Sequence, residues 1–205
     1  MAPPPKARIY LASQSPRRQA LLREWGVEFE LLLADAHEDA EALEMQTPDE
    51  DPKTYVCRIT QLKLQAALVR RQARGLSSRL ILCADTTVAL GNDILGKPRD
   101  AQHAADMLRA LQGRTHDVFT AVSLGDGIFE DLELSHSRVT FAELNDAEIA
   151  RYVASGEPEG KAGGYAIQGQ AGLWTTHLSG SYTGIMGLPA HETSRLFARA
   201  GFPLF

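Results

Sequence analysis

The sequence predicts an α/β fold, because stretches with the pattern of a strand alternate with stretches that have the pattern of a helix. An apolar stretch at 8–12 precedes a helix that can begin at Pro16, where the missing backbone N–H costs nothing. A longer helix opens at Pro52, and the continuous apolar run 79–84 after it is typical of a strand covered on both faces. Gly125-Asp126-Gly127 then separates two further strand patterns and predicts a hairpin.

The helices carry local start and stop signals. Ser15 can cap the first helix and Gly26 can end it, Asp51 can cap the second, and Asn145 with Glu148 forms a capping box for a later one. In the second helix we expect a buried stripe formed by Tyr55, Val56, Ile59, Leu62 and Ala66. The other predicted elements are strands over 29–34, 88–90, 94–95, 118–124, 128–141, 165–167, 173–178 and 182–186, and helices over 100–112 and 189–201.

The bulk composition is that of an ordinary globular protein, with 205 residues, 44% hydrophobic and 23% charged. We expect a flexible tail over 1–7 and a single domain over 8–205. The net charge of −5 argues against a general nucleic-acid-binding surface, which is normally basic. It still permits a polyanionic ligand, because salt at physiological concentration screens charges more than about 8 Å apart. The positive charge close to a site therefore decides whether a polyanion binds there.

No apolar run approaches the length of a membrane span, and the proline-rich start lacks the apolar segment of a signal peptide. We therefore expect a cytoplasmic protein without membrane contact. Cys57 and Cys83 lie in apolar patterns and are expected to be buried free thiols. The histidines show none of the paired spacings of a zinc site, and the chain has neither a Walker A sequence nor GxGxxG.

The turn over 12–18 is a candidate anion-binding site. It displays the hydroxyls of Ser13 and Ser15 and places Arg17 and Arg18 in the first turn of the helix that follows. The positive end of the helix dipole destabilises arginine there, but together with free N–H groups and two guanidinium groups it favours a bound anion. The alternative is an ordinary turn with two solvated arginines.

Three further charged residues have both a structural and a functional interpretation. Asp85 follows a buried strand, and ligands collect at the carboxyl ends of strands in α/β sheets, although an aspartate there also caps turns. Lys63 lies at the border of the buried stripe, where a lysine either points outward over the core or reaches a cleft. Lys97 precedes Pro98, which favours an extended backbone that would hold the lysine across a cleft.

Several short motifs together resemble the Maf family of nucleotide pyrophosphatases, from about residue 8 to about residue 202. They occur in the order of that family, and no one of them is specific alone. The motifs are Ser13-Gln14-Ser15-Pro16-Arg17-Arg18, Ala84-Asp85-Thr86, Gly96-Lys97-Pro98, Gly156-Glu157-Pro158, Lys161-Ala162-Gly163, Tyr165-Ala166-Ile167-Gln168-Gly169 and Gly187-Leu188-Pro189.

The resemblance implies a mixed β-sheet flanked by helices, in two lobes with the active site in a central cleft. It implies hydrolysis of a nucleoside triphosphate to the monophosphate and pyrophosphate, with a divalent cation, Mg²⁺ or Mn²⁺. Asp85 matches the catalytic aspartate, which acts as a base or through metal-held water, and Glu38 matches a glutamate expected to share the metal. Lys63 and Lys97 match functional lysines, and with the serines and arginines of 12–18 they are expected to bind phosphate.

Two positions depart from the family pattern. His37 stands where the family tends to have an acid, which puts the carboxylate count of that loop in doubt. Gly160 stands where the family usually has an acid just before the motif lysine.

The resemblance also implies a base preference, because the family divides by three positions that here are Arg18, Thr86 and Gln168. This set is associated with dTTP and UTP rather than with methylated guanine nucleotides. The Gln168 amide offers one donor and one acceptor, which match O4 and N3–H of uracil or thymine. Flipped, the amide would pair with cytosine, and a glutamine bonded only to neighbouring backbone is the structural alternative.

The competing functional class is a non-catalytic nucleotide-binding regulator of cell division, since the family is named for an effect on septum formation. The presence of Asp85, Lys63 and Lys97 together favours catalysis, because a sensor could dispense with a water-activating acid. A homodimer is a common default for such chains and is an open expectation here.

Overall fold

A computed structural model describes residues 8–35, 38 and 42–204 of the chain. Its strands are β1 (Arg8–Leu11), β2 (Glu28–Leu31), β3 (Ile81–Leu90), β4 (Asp93–Leu95), β5 (Thr115–Gly125), β6 (Glu130–Phe141) and β7 (Thr175–Ser179). Its helices are α1 (Pro16–Glu24), α2 (Pro52–Ala73), α3 (Ala101–Leu111), α4 (Asp146–Ala154), α5 (Tyr182–Met186) and α6 (Ala190–Arg199). Short 3₁₀ turns occupy Ala42–Glu44, Ala162–Gly164 and Gln170–Trp174.

The strands form one seven-stranded mixed sheet in the order β2-β1-β3-β5-β6-β7, with β4 paired to β3. β1 pairs in parallel with β2 and β3, whereas β3, β5, β6 and β7 are joined by antiparallel pairs. Helices pack against this sheet, so the predicted α/β class with a mixed sheet is confirmed. In the register of the β3–β5 pair, Asp85 lies opposite Ala121 and Thr86 opposite Thr120, which places both site residues near the middle of the sheet.

Local capping chemistry starts the helices where the sequence predicts. The Ser15 side chain accepts from the backbone N–H of Arg18 at 3.5 Å, and Pro16 is the first residue of α1. Asp51 accepts from two backbone N–H groups at 3.1 Å at the start of α2. Asn145 and Glu148 complete both halves of the capping box of α4. These caps satisfy N–H groups that have no partner within the helix.

The buried face of α2 differs from the predicted stripe. Leu62 is 37% exposed, while Leu64 and Ala67 are buried. The face includes Thr60, which is fully buried and whose hydroxyl donates to the Val56 carbonyl at 2.7 Å. A pattern that counts only apolar residues overlooks a buried threonine whose hydroxyl is hydrogen-bonded within its own helix. The predicted stripe therefore includes Leu62 and leaves out the buried Thr60.

Two of the predictions for the C-terminal third were wrong, whereas the closing helix predicted over 189–201 formed as α6. Residues 165–167 form no strand, and 182–186 form the short helix α5 instead of a strand. The Ser181 side chain caps α5 by accepting from the Gly184 N–H at 3.0 Å, and Gly187 ends it with φ of +115°. An apolar run of five residues does not distinguish a strand from a helix turn, so the cap and the glycine decided the outcome.

The buried side chains form two large clusters. One joins β1, α1 and α6 through residues such as Ile9, Leu22 and Phe197. The other joins β5, α3 and α4 through residues such as Val118, Leu108 and Ile149. A smaller cluster under α2 includes Cys83, which is buried, whereas Cys57 is only partly buried; both are free thiols. Within the described residues no helix combines the length and apolarity needed to cross a membrane.

Candidate active site

A cavity of about 510 Å³ opens beside the N-terminus of α1 and the middle of β3. Its lining comes from regions far apart in the sequence, and it combines cationic, anionic and apolar side chains. The lining residues are Ser13, Gln14, Ser15, Pro16, Arg17, Arg18, Glu44, Lys63, Asp85, Thr86, Val88, Lys97, Val118, Glu159, Gly160, Lys161, Ala162, Tyr165, Ile185, Met186 and Gly187.

Two lysines and two carboxylates meet at one end of the cavity. Lys63 Nζ donates to Asp85 Oδ1 at 2.5 Å and to Glu44 Oε1 at 2.9 Å. Lys97 Nζ donates to Glu44 Oε2 at 2.9 Å. The Lys63 ammonium therefore enters the cleft and does not point outward over the core, and the Glu44 carboxylate bridges the two lysines.

The pKa shifts in this group follow from burial opposed by charge. Burial acts to lower the pKa of Lys63, but the charges of Asp85 and Glu44 outweigh it and raise the pKa. Burial acts to raise the pKa of Glu44, but the two lysines outweigh it and lower the pKa. Lys63 and Glu44 are therefore both charged near neutral pH, and the group works as a set of fixed charges.

Arg18 joins three parts of the cavity wall. Its Nε donates to the Gly187 carbonyl at 2.7 Å, Nη1 to the Ser13 hydroxyl at 3.1 Å and Nη2 to the Thr86 hydroxyl at 3.3 Å. Burial lowers the pKa of Arg18. Because these bonds use all three nitrogens, Arg18 holds α1, β3 and the residue after α5 in one arrangement, and Ser13 and Thr86 act through it.

Arg17 and Lys161 add further positive charge to the cavity lining. Arg17 Nε donates to the Met186 carbonyl at 3.2 Å, and Lys161 donates to the carbonyls of Glu157 and Glu159. Burial lowers the pKa of Lys161, and the nearby charge of Arg17 lowers it further. The N-terminus of α1 lies beside them, so this part of the lining suits an anion.

A second part of the cavity wall, which we call the apolar end, carries apolar side chains. Val88, Val118, Tyr165 and Ile185 line it, and each belongs to the cluster around α3 and α4. The Tyr165 hydroxyl is hydrogen-bonded to Nε2 of the buried His116 at 2.8 Å. The cavity therefore has one end suited to a polyanion and one end suited to a flat, weakly polar group.

The structure brings most of the predicted site residues to this one cavity. These are Ser13, Ser15, Arg17, Arg18, Lys63, Asp85, Thr86 and Lys97. Two others lie elsewhere. Gln168 is exposed in the turn after Ile167 and is not among the lining residues.

Glu38, predicted to share a metal with Asp85, is also absent from the cavity lining. Its carboxylate accepts from Nη2 of Arg70 at 2.6 Å, and Arg70 donates in addition to the Leu32 carbonyl at 2.9 Å. The hydrogen bonds from Arg70 lower the pKa of Glu38 to about 2. His37 lies outside the described residues, and Gly160 lines the cavity with φ of +66°.

Sequence reasoning missed Glu44 and assigned no role to Lys161. Glu44 lies in the acidic segment 35–51, in which the sequence gives no reason to choose one carboxylate over another. In the fold, the Tyr55 hydroxyl donates to the Glu44 backbone carbonyl at 2.8 Å. This contact holds Glu44 beside α2, and the sequence does not predict it.

A divalent cation fits the donor chemistry at Asp85. Mg²⁺ is usually held by one or two carboxylates together with water and substrate phosphate oxygens. Asp85 lines the cavity, and within the described part of the chain its side-chain hydrogen bond uses Oδ1 alone, which leaves Oδ2 for an ion. Among those residues no group of three or more His, Cys, Asp or Glu side chains converges on one point.

Comparison with known proteins gives a consistent result over nearly the whole chain. A family model described as Maf-like protein matches residues 8–200. A dTTP/UTP pyrophosphatase of Ralstonia nicotianae is 58% identical over 202 residues, which cover 98% of this chain and 97% of the relative. A relative with the same name in Albidiferax ferrireducens is 57% identical, over 95% of this chain and 97% of its own length. Another, in Aromatoleum aromaticum, is 50% identical, over 98% of this chain and 99% of its own length.

Proposed function

Because the chain belongs to the Maf-like protein family, we propose that it is a nucleoside triphosphate pyrophosphatase that hydrolyses dTTP and UTP to the monophosphate and pyrophosphate. The names of its close relatives support the reaction and the substrates. The observation that carries the proposal is the position of Asp85 beside Lys63 in a cavity that is lined by further cations and ends in an apolar pocket.

The phosphates bind at the charged end. Arg17, Lys63, Lys97 and Lys161 surround this end, and the α1 N-terminus adds backbone N–H groups. Phosphoryl substitution requires mainly positioning and neutralisation of charge, which fixed cations supply without further chemistry. Arg18 contributes by holding the wall in place, since three of its five N–H groups bond to protein oxygens.

Asp85 acts on the water that attacks the α-phosphate. Its Oδ1 accepts a hydrogen bond from Lys63, so Oδ2 is the oxygen that orients that water or accepts its proton. Asp85 would also hold the divalent cation, with phosphate oxygens completing the ligand set. When bound, such an ion supplies charge neutralisation at the phosphates and lowers the pKa of water.

The base lies against the apolar end, where Val88, Val118 and Tyr165 offer apolar side chains for contact with a ring. Arg18 and Thr86, two of the three residues associated with dTTP and UTP, form part of the same wall. Gln168 would reach a base there only if the turn that carries it moved. The net charge of −5 supports a free nucleotide rather than nucleic acid as substrate, and we propose that the protein acts in the cytoplasm.

The proposal is tested by pyrophosphate release from UTP, dTTP, CTP and 7-methyl-GTP, with Mg²⁺ or Mn²⁺ and with neither. We expect the highest kcat/KM for UTP and dTTP, and turnover only with a metal. Asp85→Asn is expected to lower kcat by about 10³-fold or more, because the acceptor for the proton and the metal charge is lost, while nucleotide binding survives.

Asp93→Asn is the matched control, since Asp93 is an exposed aspartate on the neighbouring strand β4 and does not line the cavity. Near-normal activity of Asp85→Asn would assign that aspartate a structural role and reject the mechanism. A preference of the unmodified protein for 7-methyl-GTP would reject the proposed substrates.

A further inference from the structure

The carboxylate of Glu44 occupies the position between the two lysines that face the phosphates in the proposed function. Its Oε1 accepts from Lys63 at 2.9 Å, and its Oε2 accepts from Lys97 at 2.9 Å. The side chains of Glu44 and Lys63 are 28% and 21% exposed, whereas that of Lys97 is 54% exposed, so the contact runs from the half-buried Lys63 to the solvent-exposed Lys97. Oε1 also accepts a longer hydrogen bond from Lys97 at 3.3 Å, so the carboxylate bridges both ammonium groups, as a phosphate group could also do.

The turn that carries Glu44 is held in place by α2. The Tyr55 hydroxyl donates to the Glu44 carbonyl at 2.8 Å, and Arg58 Nη2 donates to the Met45 carbonyl at 2.9 Å. Arg58 is itself held by Glu50 through two hydrogen bonds of 2.6 and 2.5 Å. The carbonyls of Glu44 and of the next residue are therefore tied to the helix that supplies Lys63, and these ties hold the Glu44 carboxylate near that lysine.

A carboxylate and a phosphate compete for the same ammonium groups, because both are anions that accept short hydrogen bonds. The negative charge of Glu44 would also repel a triphosphate that approached without displacing it. The two lysines lower the pKa of Glu44 despite its burial, so Glu44 is ionised at neutral pH and the competition persists there.

We propose that Glu44 is a gate that occupies the phosphate subsite of the free protein and is displaced when a polyphosphate binds to Lys63 and Lys97. Only the lysine contacts need to break, because rotation of the side chain suffices while the tethered backbone stays. The apparent affinity for a polyphosphate is then reduced by the fraction of molecules in which the gate is closed. Return of Glu44 to the lysines also favours release of the pyrophosphate product.

The test measures pyrophosphate binding by titration calorimetry, and it rests on the proposed function only in the choice of a polyphosphate ligand. Glu44→Gln removes the competing charge and is expected to tighten pyrophosphate binding about tenfold, which corresponds to ~1.4 kcal/mol. Glu44→Asp keeps the charge but shortens the side chain by one methylene, so it bridges the lysines less well and is expected to give an intermediate affinity.

Glu159→Gln is the matched control, because Glu159 is the other glutamate that lines the cavity and its carboxylate is bonded to neither lysine. It removes the same charge and is expected to tighten binding by less than twofold. An equal effect of Glu159→Gln and Glu44→Gln would show a general charge effect and overturn the gate. Unchanged or weaker binding by Glu44→Gln would also overturn it.

Activity of the unmodified protein separates the two proposals. Turnover of nucleotides together with an unchanged affinity in Glu44→Gln rejects the gate and leaves the proposed function intact. Tighter pyrophosphate binding by Glu44→Gln without any nucleotide turnover supports the gate and rejects the proposed function. Absence of pyrophosphate binding by every variant rejects the gate.

Discussion

At the scale of single residues, Arg70 shows how a partner decides the role of a charge. Arg70 lies in α2 with 9% of its surface exposed, and it donates to Glu38 and to the Leu32 carbonyl. A buried guanidinium requires such partners, because an unpaired charge in a low-dielectric interior is costly. Glu38 thereby ties the start of the acidic segment to α2.

Glu38→Gln tests this structural role. The amide keeps an acceptor for Arg70 but loses the charge, and Glu38 is 35% exposed, so solvent screens part of the effect. We expect a loss of about 1 kcal/mol, or about 2–4 °C in melting temperature. Glu24→Gln, at an exposed residue of α1, is the control.

The same preparations give kcat for UTP hydrolysis. A large fall in kcat with an unchanged melting temperature would place Glu38 in the reaction and count against its assignment to Arg70. The lowered pKa of Glu38 adds a second check, since its contribution to stability is present above pH 4.5 and is lost as the pH falls towards about 2.

At the scale of elements, the 3₁₀ turn Ala162–Gly164 joins the cavity to β3. The Gly163 N–H donates to the Gly96 carbonyl at 3.0 Å, one residue before Lys97. A Cβ on Gly163 would lie 2.9 Å from Cγ1 of Val88, which lines the apolar end of the cavity. Gly163 also has φ of +66°, a backbone conformation that residues with a Cβ rarely adopt.

Gly163→Ala is therefore expected to be strongly destabilising and to raise KM, because the added methyl group pushes against Val88. Gly160→Ala is a matched control, since Gly160 has the same φ of +66° but no atom lies within 4 Å of the place that its added methyl group would take. Backbone strain alone predicts about 1 kcal/mol for Gly160→Ala, and the clash should add about 1–3 kcal/mol for Gly163→Ala. Equal melting temperatures for the two variants would show that Val88 makes room.

At the scale of the whole molecule, the pH dependence of stability has a contribution from a buried histidine. His116 in β5 is 1% exposed, and its Nε2 is paired with the Tyr165 hydroxyl at 2.8 Å. Its Nδ1 has no partner within the described residues. Burial lowers the pKa of His116 to about 4, and the charge of Asp117 opposes this only in part.

A histidine with a lowered pKa in the folded state binds fewer protons than in the unfolded chain between pH 6.5 and about 4. The contribution of His116 to the free energy of unfolding is fully present above pH 6.5, and it falls by about 3 kcal/mol as the pH drops to 4. We expect the melting temperature of His116→Gln to depend less on pH across this range than that of the unmodified protein. Parallel curves for the two proteins would contradict a neutral buried His116.

The sequence by itself determined the parts that depend on neighbouring residues. The caps at Ser15, Asp51 and Asn145 formed as predicted, because each satisfies N–H groups within three residues of itself. Helix α3 likewise formed where predicted and buries four side chains, since spacing of three and four residues sets one face of a helix. These side chains are Ala104, Met107, Leu108 and Leu111. Of the predicted residues that line the cavity, all but Lys63 lie in short motifs that the sequence displays.

Tertiary structure decided the features that depend on contacts between distant segments. Glu44 lies 19 residues from Lys63 and 53 from Lys97, and no local pattern links them. Glu38 was placed on Arg70, and Gln168 outside the cavity, by the same long-range packing. A charged side chain takes the partner that the fold brings within hydrogen-bond distance, and its sequence neighbours do not specify that partner.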